Sequence, residues 1–177
     1  MPPLEPGRSR ILAAAAIDAA LLGGLHMGAL LLAVVWLLAR TDAGRVDVGE
    51  GDAVVAVVIA SAAAPAWVAW TLLITHRRLG TPGHRVMRVR PVPDWGVPQW
   101  SLYVRAMTSP LSLPGWLWMA ATPLLAGMPW WLALPAVLAA NIVLAGAAGS
   151  LVVALVRPSA RMLHDRLART SLVTVEP

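Results

Sequence analysis

The sequence predicts an all-α membrane protein. It reads as a small polytopic helical bundle of four spans, the third short enough to be re-entrant or tilted, with amphipathic cytoplasmic segments. Composition is the first observation behind this: 58% of the 177 residues are hydrophobic and 13% charged, against about 45–50% and about 25% in soluble domains. The second is charge-free length. Residues 11–39 carry no charge after Asp18, and residues 111–156 carry none at all, where a helix needs only ~20 apolar residues to cross a bilayer. The third is the distribution of arginine, which sorts the connecting segments onto two sides.

The first span, 11–39, follows Arg8 and Arg10. That start resembles a secretory signal, but a signal's apolar region ends after about 7–15 residues at a cleavage site. This run continues to Ala39, so it is expected to be retained. Ala16, Ala20, Gly24 and Gly28 place a small residue at every fourth position, a face on which another helix can approach closely. A polar loop, 40–52, precedes the second span, 53–75, in which Pro65 predicts a kink because it removes a backbone donor and crowds the preceding turn.

The cytoplasmic loop 76–112 is basic and opens with turn-forming Gly80, Pro82 and Gly83. Its R-V-M-R-V-R stretch suits a short strand or an extended surface segment. Trp100, Tyr103, Val104 and Met107 then recur at helical spacing, which predicts a short amphipathic helix on the bilayer surface. Residues 111–156 are too long for one span and divide at Gly127-Met128-Pro129 into 113–126 and 130–156. In the tail, 157–177, Met162, Leu163 and Leu167 are expected on one face of an amphipathic segment, with Arg161, His164, Asp165 and Arg169 on the other. The final residues, with Leu172, Val173 and Val175, read as strand-like.

Two arginines lie before the first span, six in loop 76–112 and four in the tail, but only two in loop 40–52. The positive-inside rule then places both termini and loop 76–112 in the cytoplasm, which requires four spans. The whole chain, 1–177, is expected to form one membrane domain, since no loop is long enough to hold another. The net charge of +5 is read as topology and contact with anionic lipid at the cytoplasmic face, not as nucleic-acid binding. The absence of cysteine excludes disulfides and thiolate chemistry.

Three stretches then match one family pattern. R-I-L-A-A-A-A-I-D (10–18), T-P-G-H-R-V-M-R-V-R (81–90) and L-H-D-R-L-A-R-T (163–170) occur in the order and membrane setting of the RDD family. The chain resembles these bacterial multi-spanning proteins, named for one arginine and two aspartates. The resemblance implies Arg10, Asp18 and Asp165 as the named set, with Arg8 a rival for the arginine, and Pro82, Gly83 and Arg85 as the loop motif. His84 stands where that loop usually has lysine, and Arg169 where the ending usually has glycine. The resemblance also implies a transport-like role in a bacterial inner membrane, with cation or proton exchange proposed for some members.

Read from the residues, Asp18 is the foremost candidate, because an ionised aspartate within a span needs a compensating partner. Two readings stay open: a site for a cation or proton, or a structural contact with another span. Arg10 lies about 12 Å further along the helix axis, too far for direct pairing within one helix. Asp165 is placed at the cytoplasmic border, against Arg85 or Arg10 or simply solvated. His26, deeper in the span, is either a proton relay or a neutral interhelical bridge. No metal-ligand spacing, phosphate loop or nucleophile motif is present, so no metal, cofactor or enzyme activity is expected. Two functions follow as expectations: an exchanger using Asp18, or a non-transporting scaffold within a larger membrane complex. A homo-oligomer through Gly24 and Gly28 is compatible with both.

Overall fold

The computed structural model describes residues 6–41, 48–77, 80–156 and 162–175. Residues 1–5, the middle of the polar loop (42–47) and the head of the basic tail segment (157–161, including Arg161) lie outside the described residues.

Helix α1 runs Arg8–Thr41 and α2 Glu50–Ser61. Helix α3, Ala63–His76, continues α2 after a break at Ala62. The break lies three residues ahead of Pro65, where the ring crowds the preceding turn and leaves the Ser61 carbonyl without its helical partner. Ala62 N–H bonds instead to the Ile59 carbonyl at 3.1 Å, one residue short of α-helical spacing. Among the described residues, two rods are long and apolar enough to cross a membrane: α1, and α2 with α3 together. Their apolar side chains face outward, Leu32 at 63% and Val58 at 61% exposure. The core helix of a water-soluble protein would hide such residues. At the far end of the pair, the Arg40 guanidinium donates to Asp52 at 2.8 Å.

Helix α6, Leu113–Leu125, packs along α7, Leu134–Val156. At ~1.5 Å per residue α6 is about 20 Å long, shorter than the ~30 Å hydrocarbon layer. Gly115 brings α6 against α3: a Cβ there would come within 2.2 Å of Val68 Cγ2. Gly146 and Gly149 leave room on α7 for Leu163, whose backbone N–H bonds to Ser150 Oγ at 2.8 Å.

The remaining elements gather at one end of the rods. Helix α4 is Pro82–Val86, β1 Val89–Pro93, α5 Ser101–Thr108, α8 Leu163–Leu167 and β2 Thr170–Thr174. The strands pair antiparallel, with Pro91 opposite Leu172. The fold is thus mostly helical but not all-α, because the two extended segments satisfy each other's backbone groups.

Two local expectations are corrected and a third is filled in. The turn-like stretch after Gly80 closes into helix α4, capped by Thr81 with Pro82 in the first turn, where a missing backbone N–H costs nothing. The expected short helix forms as α5, and it is packed against α3, α7, α8 and both strands. In α8 the polar side is the buried one: His164 and Asp165 are enclosed while Leu167 is 55% exposed. A polar pair with a partner inside the protein outweighs the apolar stripe that spacing alone suggests.

Candidate functional site

Asp18 is 2% exposed, on the face of α1 that also buries Ala14 and Leu22. Helix α4 is laid against this face. Asp18 Oδ1 accepts the Gly83 backbone N–H at 2.8 Å, and Oδ2 accepts the Thr81 hydroxyl. The carboxylate therefore caps the start of α4 from outside, taking a donor that has no partner within the helix. Gly83 is required for this approach, since a Cβ would stand 2.0 Å from the Ala14 carbonyl oxygen. Thr81 Oγ1 also accepts the His84 backbone N–H at 3.3 Å and bonds to His84 Nδ1. With Asp18 ionised, the single Thr81 hydrogen is given to the carboxylate, which makes the imidazole the donor in that second contact.

Asp165 is held differently. Its Oδ1 accepts Arg105 Nε at 2.6 Å, with both side chains largely buried. His164 Nε2 lies 3.6 Å from the same oxygen, beyond hydrogen-bond range. His164 Nδ1 is buried without a hydrogen-bond partner among the described residues. Burial, with a smaller contribution from the Arg105 charge, lowers the His84 pKa to about 3. Burial lowers that of His164 to about 4, against the opposing pull of Asp165. Both imidazoles are neutral at pH 7.

These two centres share a cavity of about 520 Å³. Asp18, Thr81, His84, Arg90, Arg105 and His164 are among its polar walls, and side chains such as Trp67, Ile74 and Leu102 supply apolar ones. Among the described residues, no three His, Asp or Glu side chains converge as a metal site.

The residues singled out from sequence are distributed unevenly. Asp18, Pro82 and Gly83 meet at the α1–α4 contact. Asp165 joins the same cavity region through Arg105, not through Arg85 or Arg10. Arg10 is exposed. Arg85 is exposed as well and donates to the Gly80 carbonyl at 3.1 Å. His26 bonds to the Leu22 carbonyl of its own helix at 2.9 Å. The site members that sequence reasoning named but did not assign to the site are Thr81, His84, Arg105 and His164. A signal existed for the first: threonine before proline is an N-cap signature. For Arg105, the polar side of a short helix gave no direction toward Asp165.

Outward-facing apolar rods closed at one end by a buried polar cluster define a helical membrane protein. The chain belongs to the RDD family, whose description matches residues 6–169. No curated protein and no solved structure matches it.

Proposed function

We propose that the protein is a four-span bacterial inner-membrane exchanger, moving a cation against a proton, with Asp18 as the exchange site. The observation that carries this is a buried carboxylate opening onto a cavity of about 520 Å³, with no arginine or histidine at ion-pair distance among the described residues. Such a group binds a proton or cation in place of a permanent counter-ion. A cation entering the cavity competes with the Thr81 hydroxyl for Oδ2. The four-span topology, with both termini cytoplasmic, rests on the arginine distribution. It is supported by the gathering of α4, α5, α8 and the strands at the Arg8 end of α1. In this arrangement anionic lipid headgroups meet the exposed Arg88 and Arg90. The protein is read as a transporter, without catalytic chemistry or cofactor.

The test is purified protein in vesicles that enclose a pH-sensitive dye, given pulses of Na⁺, K⁺ or Li⁺. Proton flux in the wild type that is lost in Asp18→Asn is the expected result. Wild-type protein that is folded and moves no protons overturns the reading.

A second reading is favoured by one observation: both Asp18 oxygens already hold the 81–83 turn. On this reading the aspartates only brace a scaffold, and the outward Ala16, Ala20, Gly24 and Gly28 face receives a second copy or a larger membrane complex. It predicts that Asp18→Asn lowers abundance in the membrane, and that the protein copurifies with a partner.

A further inference from the structure

Resting on the exchange reading, we propose that Thr81 and His84 form the proton path to Asp18, with the His84 ring as the entry from the cavity. Three groups from two elements are joined in one line. His84 Nδ1 contacts Thr81 Oγ1, and Thr81 Oγ1 contacts Asp18 Oδ2. His84 is itself a wall of the cavity. A hydroxyl in the middle of such a line can pass one hydrogen on as it receives another.

The step balances without any further reactant. Before it, Asp18 is ionised and His84 is neutral with its hydrogen on Nδ1. A proton from the cavity bonds to Nε2. The Nδ1–H bond breaks and its hydrogen bonds to Thr81 Oγ1, whose own hydrogen moves to Asp18 Oδ2. Afterwards Asp18 is neutral, Thr81 donates to the bare Nδ1, and His84 is again neutral with its hydrogen on Nε2. The same heavy-atom contacts serve both states, so no rearrangement of α4 is needed. The reverse sequence returns the proton to the cavity.

The surroundings suit a ring that passes a proton without keeping it. His84 is buried, and the charged and titratable groups around it are Asp18 on α1, Arg105 on α5, and His164 and Asp165 on α8. Burial chiefly disfavours an imidazolium, the Arg105 charge adds to this, and Asp165 pulls more weakly the other way. A protonated ring is thus a short-lived state, and the charge is drawn on to Asp18. Lysine, the residue usual at this place in the family pattern, has no second nitrogen with which to do this.

Two measurements on the full-length protein in lipid vesicles test the path. The first is ¹⁵N NMR of labelled histidine together with the Asp18 carboxyl carbon signal. As pH falls and Asp18 takes its proton, His84 is expected to switch from the Nδ1–H to the Nε2–H tautomer while staying neutral. A tautomer that does not change as Asp18 titrates overturns the path, whether or not the protein transports. The second is proton flux. Thr81→Val is expected to lower it tenfold or more, with Thr81→Ser recovering most of that loss. His84→Gln, which leaves the Thr81 cap of α4 in place, is expected to lower it by the same factor. Wild-type-like flux in His84→Gln or in folded Thr81→Val overturns the path and leaves the exchange reading standing. Absence of flux in the folded wild type overturns both.

Discussion

Asp18 and Asp165 are buried to nearly the same degree, 2% and 3% exposed, but their charges are met by different chemistry. Asp165 faces a full positive charge, the Arg105 guanidinium at 2.6 Å. Asp18 is hydrogen-bonded only by dipoles, one backbone N–H and one hydroxyl, and the Arg105 charge acts on it from beyond contact. A guanidinium keeps its charge at ordinary pH, so a fixed cation always stands beside Asp165. Dipoles stabilise a carboxylate more weakly and exchange easily for a proton or a cation. One aspartate is thereby tied to a fixed cation between α5 and α8, and the other is the one on which the proposed exchange rests.

The comparison can be broken by unpairing each centre in turn. Arg105→Ala leaves Asp165 buried without its cation, a change that costs about 3–5 kcal/mol when a buried pair loses one partner. Asp18→Asn keeps an acceptor for one of its two donors and should cost only about 1–2 kcal/mol. Chemical denaturation in detergent checks the order, and equal losses would mean that the two aspartates are held alike.

Acid should sharpen it next. The unfolded chain protonates its histidines near pH 6.5, whereas folded His84 and His164 resist until about pH 3 and about pH 4. The unfolded state therefore binds more protons. Stability is complete above pH 6.5 and falls by up to about 1.4 kcal/mol per pH unit for each histidine as pH drops toward 4. A His84→Gln, His164→Gln double variant should show a shallower decline.

Gly83→Ala sets a Cβ against the Ala14 carbonyl and pushes α4 away from Asp18. Overpacking of this kind costs about 1–3 kcal/mol. It should weaken the Asp18 centre and leave the Arg105–Asp165 pair intact, as separate cross-links across the two contacts would report. The smallest effect expected is at Arg169, which adopts φ 48°. Glycine reaches this left-handed conformation without strain, so Arg169→Gly should stabilise the turn before β2 by about 1 kcal/mol, read from the denaturation midpoint.

Much of the fold was legible because it follows from local chemistry. Asp18 stood out as a lone carboxylate in an apolar run, and Pro65 marked the break between α2 and α3. The pattern at 81–83 was recognised as a motif, but its reason appears only in three dimensions. Threonine caps, proline starts the turn and glycine admits the Ala14 carbonyl. The position of Arg169 shows the same limit. Its departure from glycine was visible in the chain, but the structure shows that the left-handed turn is kept despite the side chain.

The sequence by itself determined that the chain is helical, apolar and built for a bilayer, because length and hydropathy are properties of each segment alone. It also marked Asp18 as an acid that needed a partner, while leaving Asp165 either paired or solvated. Only the tertiary structure decided who those partners are: Thr81 and Gly83 for Asp18, and Arg105 for Asp165. Hydrogen bonds and ion pairs act over about 3 Å, and residues 60 or more positions apart come within that distance only when helices pack. The inward turn of α8 was decided the same way, since the Arg105 charge waiting inside outweighs the pattern of the helix itself.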